Sequence, residues 1–213
     1  LKMAIIFLME QIRTPFSLIW TIMSPTVLFF FLHFNEIELH YGDTAWLGKQ
    51  ISWFVGYISF SVVLFNYCLY LVGRRESGFI ATFVHNMDGR LLFIRSQLIA
   101  SLIMSILYVF FFILVVLTGF QASPDYQIVM IILKSIYINA FMMVSLTFMA
   151  SFRVTFQTAS TIYSVLITVC MVSGIVSLKY NEGIVYWINQ VNPIAIYSTI
   201  LQSDQELSLM TIF

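Results

Sequence analysis

Arg74, Arg75, Arg90 and Arg95 are four of the ten basic residues in the chain, and they flank one stretch, GRRESGFIATFVHNMDGRLLFIR, at positions 73–95. Between them Phe79, Ile80, Phe83, Val84 and Met87 recur at i, i+1, i+4, i+5 and i+8, the spacing of one apolar stripe on a short helix. Gly89 is placed to end that helix, since glycine takes the left-handed cap conformation cheaply. The chemistry is recognition rather than catalysis: such a face rests on lipid headgroups or docks against a soluble partner. A second set, Gln157, Thr161, Ser164 and Thr168, falls on one helical face, and Ser52, Gly56, Ser59, Asn66 and Tyr70 make a similar stripe earlier in the chain. Small and hydroxyl residues in that pattern serve close helix packing or line a polar pathway, and at a dimer interface the two roles coincide. Lys134 stands inside an apolar run, where its stem can snorkel toward the surface or its charge can meet a substrate. Glu36, Glu38 and His40 alternate as strand-spaced metal ligands do, but without a further ligand they read as a solvated loop, so no metal is expected.

Enzymatic chemistry finds little to work with. The histidines, His33, His40 and His85, fall at or beyond the ends of the apolar runs, so none is placed to activate an intramembrane serine. No acid pair lies within a run to hold a catalytic metal. Cys68 and Cys170 sit inside apolar runs and read as small buried hydrophobes. No GxxxxGK[ST] phosphate loop occurs, so any ATP would be used by another polypeptide.

These residues have to be positioned by an apolar framework. The chain is 60% hydrophobic and 9% charged, against roughly 25% charged in ordinary soluble domains. A soluble core cannot hide that much apolar surface, and zero net charge argues against a nucleic-acid partner. The expected architecture is an all-α polytopic membrane protein in one domain. An amphipathic entry helix (1–13) lies along the interface, and spans follow at about 16–32, 51–72, 96–118, 128–151 and 156–178. Thr14 and Pro15 suit an N-cap and first helical position, and Pro25 should kink the first span. Leu207–Phe213 reads as the start of a sixth span. An amino terminus in the cytoplasm puts Lys2, Arg13, Arg74, Arg75, Arg90, Arg95 and Arg153 on the inner side and only Lys49 and Lys179 outside, as the positive-inside rule prefers.

The order of these elements resembles the permease subunits of ATP-binding-cassette type-2 exporters. An entry helix precedes a proline-bearing first span. An Arg-Glu-x-Gly element (Arg75, Glu76, Ser77, Gly78) follows the second, and an Asn-Pro element (Asn192, Pro193) lies in the outer segment. The resemblance covers essentially the whole chain and rests on order rather than on any one motif. It implies that Glu76–Met87 is a cytoplasmic coupling helix, with Arg75 beside it, docking on a separate ATPase subunit that carries ATP and magnesium. It implies that residues 181–201 are outer helices dipping into a cell membrane. It further implies pairing with a second permease, identical or paralogous, across the second and fifth spans. The cargo would be an amphipathic peptide, drug or lipid-like molecule. Export of a polysaccharide or lipid-linked glycan stays open, as does a non-transporting scaffold or sensor that binds a cytoplasmic partner.

Overall fold

The computed structural model describes residues 2–13, 15–79, 86–179 and 182–203, and every regular element among them is helical. The helices are α1 (Lys2–Ile12), α2 (Pro15–Leu32), α3 (Thr44–Glu76), α4 (Met87–Gly119), α5 (Tyr126–Leu146), α6 (Phe156–Lys179), α7 (Gly183–Val191) and α8 (Pro193–Gln202). Four of them, α3 to α6, are long and apolar enough to cross a membrane, and the apolar α2 adds 18 residues. The protein is thus an all-α, multi-pass membrane protein.

Helix α3 is the centre of the bundle. At 33 residues it is roughly 50 Å long, well beyond the roughly 30 Å hydrocarbon core. Its apolar window is 78% enclosed by protein, against 28% for the spans in α5 and α6. The other long helices and α8 pack around it. Asp43 starts α3 by accepting the Trp46 N–H at 3.0 Å. That bond, and then His40 beside it, hold the Asp43 carboxyl below its ordinary value. His40 stacks on the Trp46 ring at 4.2 Å, and His33 meets the same ring edge-on at 5.2 Å. His33 and His40 pair with Glu36 and Asp43 respectively, each three residues on, so Glu36 and His40 serve the entry to α3 rather than a common ligand set. Phe29, Phe54, Phe112 and Phe120 close this end with edge-on and stacked rings.

Helix α4, the expected third span, differs most from the sequence expectation. It begins at Met87 rather than near 96, so Gly89 lies inside it and stops nothing. Asp88 in its first turn and the apolar residues that follow at helical spacing carry the helix through the glycine, whose cost is only about 1 kcal/mol. The glycine that ends a helix here is Gly78, at φ +73°. It follows α3, and the Ser77 and Gly78 N–H groups bond back to the Gly73 and Arg75 carbonyls. Helix α3 likewise begins at Thr44 and ends at Glu76, outside the expected 51–72. Pro25 is accommodated within a continuous α2. Thr14, half of the expected coupling helix (80–85, His85 included) and the segment 207–213 lie outside the described residues.

Candidate functional site

The end of α3 that carries the arginines is tied to two other elements by adjacent side chains. Arg74 donates to both carboxylate oxygens of Glu10 on α1, and the Tyr70 hydroxyl donates to Glu10 at 2.7 Å. The Arg74 guanidinium also lies 4.9 Å over the Tyr70 ring and 5.0 Å over that of Phe79. Phe7, 3% exposed, wedges between Tyr70 and Phe93 at 5.7 and 5.5 Å. Burying such a ring from water is worth about 1.5–3 kcal/mol, whereas an exposed ion pair is worth about 0–1 kcal/mol. Ring packing therefore holds α1 and the ion pair sets its orientation.

One residue on, the grip changes partner. Arg75 donates to the carbonyls of Phe152 and Val154 in the connector between α5 and α6. Glu76 accepts the backbone N–H of Phe156, the first residue of α6. A carboxylate there satisfies a donor that the helix cannot and meets the positive end of its dipole. Gly73 permits the approach: a Cβ there would stand 3.1 Å from the Phe156 ring. Three consecutive residues, Arg74 to Glu76, thus clamp α1 on one side and the α5–α6 connector on the other. Of the remaining residues assigned to coupling, Gly78 turns the chain, Phe79 packs 5.9 Å from Phe93, and Met87 is 70% exposed at the start of α4. Ile80, Phe83 and Val84 lie outside the described residues.

The two polar stripes part company. Gln157, Thr161, Ser164 and Thr168 are exposed on α6, and the three hydroxyls bond carbonyls of their own helix. Ser59, Asn66 and Tyr70 turn inward, toward α5, α4 (the Tyr108 hydroxyl) and α1 respectively. Only the α6 stripe offers an open face.

At the opposite end, α7 runs back along α6 to the Asn192–Pro193 turn. Asn192 is buried; its Oδ1 accepts the Ile194 N–H as the N-cap of α8, with Pro193 at the first helical position. Its Nδ2 donates to the Cys170 carbonyl at 2.7 Å and to Ser173 at 3.1 Å, stitching the turn to α6. From there α8 runs antiparallel to α3. Ile194 backs against Gly56, where a Cβ would come within 3.1 Å of its carbonyl, and Gln202 donates to the Lys49 carbonyl. Lys134 takes the end of α8: its ammonium donates to the carbonyls of Leu201 and Ser203. A cation at a helix C-terminus is favourable, and this answers the question that its position in an apolar run poses.

Replacing Asn192 with alanine removes the cap, worth about 0.5–2 kcal/mol, together with both bonds to α6. The expected result is roughly tenfold faster alkylation of Cys170, 7% exposed in the native fold, since 1.4 kcal/mol is a factor of ten. Cys68, fully buried within α3, should stay at its native rate.

Sequence reasoning missed the polar knot behind α8. Asn139 on α5 donates to Ser59 on α3 at 3.2 Å and to Ser105 on α4 at 2.6 Å. Tyr197 on α8 donates to Asn139 Oδ1 and the Ser135 carbonyl, each at 2.9 Å. Four helices meet there. The available signal was the one-turn spacing of Ser135 with Asn139 and of Ser101 with Ser105, polar residues repeated in otherwise apolar spans. No family model matches the chain, and no solved structure matches it.

Proposed function

We propose that the chain is the permease subunit of an ATP-driven exporter of the ATP-binding-cassette type-2 class, moving an amphipathic peptide, drug or lipid-like molecule outward. The observation that carries this reading is the Arg74–Glu76 clamp. It lies immediately before the segment that joins two long spans, and it links that segment to α1 and to the base of α6. A push on residues 77–87 by a cytoplasmic ATPase, which would hold ATP and magnesium, passes through the clamp into three helices at once. The α7–Asn192–Pro193–α8 hairpin supports the same reading as a pair of short outer helices dipping into the membrane. Asn192 reaches the Cys170 carbonyl and the Ser173 hydroxyl of α6, about 9–14 Å along the helix from Lys179. The open hydroxyl stripe of α6 suits a second permease copy, where a polar face escapes lipid.

The test is co-purification and transport. The chain is expected to bring down an ABC ATPase from its native membrane and, reconstituted with it in liposomes, to support ATP-driven movement of an amphipathic dye. Phe83→Asp, chosen on the sequence pattern, should insert normally and abolish that movement while ATP hydrolysis continues. Unchanged transport in Phe83→Asp would remove the coupling role. Partner binding that ignores nucleotide, with no transport, would establish the scaffold or sensor instead.

A further inference from the structure

The central helix is not α-helical throughout. Residues Val62–Leu69 form a π-helix, with ordinary α-helix on both sides. A π segment holds more residues per turn, so it stores surplus register within a continuous helix, and such segments gather at functional sites. Here the irregularity is latched from outside. The Tyr70 N–H bonds to the Tyr67 carbonyl instead of the Asn66 carbonyl it would meet in an α-helix. The Asn66 carbonyl takes two donors from α4: Gln97 Nε2 at 2.8 Å and Ser101 Oγ at 3.1 Å. Gln97 is fully buried, and its Oε1 has no hydrogen-bond partner among the described residues. The latch therefore uses half of a buried amide and leaves the other half unsatisfied, which weakens the latched state.

We propose that residues 62–69 are a register switch that frees α1 and changes the grip on the α5–α6 connector, keeping an arginine on its carbonyls and giving up the Glu76 bond. Straightening the π segment to α-helix advances everything beyond it by one residue, about 100° of rotation and 1.5 Å of rise. Each position below then receives the residue that precedes its present occupant. Gly73 moves to where Arg74 now meets Glu10, and Leu69 to where Tyr70 now meets Glu10 and Phe7, so the ion pair and the Tyr70 ring contact to α1 are both lost. Arg74 moves to where Arg75 now holds the Phe152 and Val154 carbonyls, so that contact is kept. Arg75 replaces Glu76 and gives up the Phe156 N–H, and Val72 replaces Gly73 against a Phe156 ring that must shift. The arginine doublet is what makes the shift asymmetric: an arginine meets the connector carbonyls in both registers, and nothing replaces it toward α1. Gln97 and Ser101 decide the register by occupying, or releasing, the Asn66 carbonyl. This inference stands whether or not the chain is an exporter subunit.

The experiment places spin labels at Ser77, beyond the switch, and at Arg95, on the exposed face of α4, in the full chain in lipid nanodiscs. Gln97→Leu with Ser101→Ala removes both side-chain donors. The expected result is a second distance population displaced by about 8 Å, the chord of a 100° turn at a helix-surface radius of about 5 Å. An unchanged distribution overturns the switch. Deleting Phe65, a half-buried residue of the π segment, removes the surplus residue and lets an α-helix reach the present register. That deletion is expected to keep the native distance by itself and to restore it in the double variant. If the deletion alone swings the label, or fails to restore the double variant, the displacement is loosening rather than register and the proposal falls. Should the double variant not fold, the deletion alone still decides between the two.

Discussion

Asn139→Ala is expected to destabilise the bundle by roughly 2–3 kcal/mol in SDS unfolding from mixed micelles, the largest single-residue effect in the membrane interior. The estimate comes from the bonds that Asn139 makes. It donates to Ser59 and Ser105 and accepts from Tyr197, joining α3, α4, α5 and α8 at one point. Interhelical hydrogen bonds in a bilayer average about 0.6 kcal/mol and reach about 1.7 kcal/mol, because the unassembled helices also find partners. Three such bonds give about 2 kcal/mol, and the void left by a fully buried side chain adds to it. The serines can turn to carbonyls of their own helices, as Ser52 and Ser61 already do. Ser59→Ala and Ser105→Ala should therefore each cost under about 1 kcal/mol. A cost for Asn139→Ala no greater than that of either serine would show that the knot does not act through its centre.

The second large effect is on the clamp at the end of α3. Arg75→Ala with Glu76→Gln removes the guanidinium from the Phe152 and Val154 carbonyls and the carboxylate from the Phe156 N–H. Hydrogen bonds to charged groups are worth about 1.5–3 kcal/mol when desolvated, and exposure at Glu76 lowers its share. A net loosening of about 2 kcal/mol should raise amide exchange in 152–156 roughly 30-fold, while exchange in α1 stays at its native rate. Arg74→Ala should spare the connector and loosen α1 only slightly, since Phe7 still packs between Tyr70 and Phe93. Under the proposed function, the Arg75/Glu76 variant also loses ATP-driven transport with insertion intact. Parallel loosening of both elements by either variant would show one diffuse contact instead of two adjacent grips.

How legible the fold was in the sequence depended on which force decided each element. Long apolar runs dictate membrane helices almost regardless of detail, so α2 and the cores of α3 to α6 follow from composition and length. The ends do not. Helix α3 begins at an aspartate whose side chain caps it, and α4 begins beyond the reach of an apolar window, among Asp88 and Arg90. Gly89 and Gly78 were equally good stops on residue type; only the backbone bonds that close the turn at Gly78 separate them. Arg75 and Glu76 were legible as site residues from their place between two spans, but their present partners, nearly eighty residues away, were not. The knot at Asn139 was hidden for the same reason. An asparagine in an apolar run announces that it needs partners, while the sequence is silent on which helices supply them. The π segment left no trace at all, since VVLFNYCL reads as any apolar helix.

Lys134 also sets a clock for biosynthesis. Its ammonium is held by carbonyls 67 and 69 residues further along. At about 5–20 residues per second, α5 waits roughly 3–14 s after Lys134 is made before that partner exists. Through that interval the nascent span carries an unpaired charge, a state that membrane insertion disfavours by about 2.5–3.5 kcal/mol at a helix centre and less toward its ends. Asn139 waits almost as long for Tyr197, 58 residues on. Residues 183–203 therefore complete the bonds that α5 leaves open, and until they arrive α5 is the segment that an insertase or a membrane protease would recognise as unfinished.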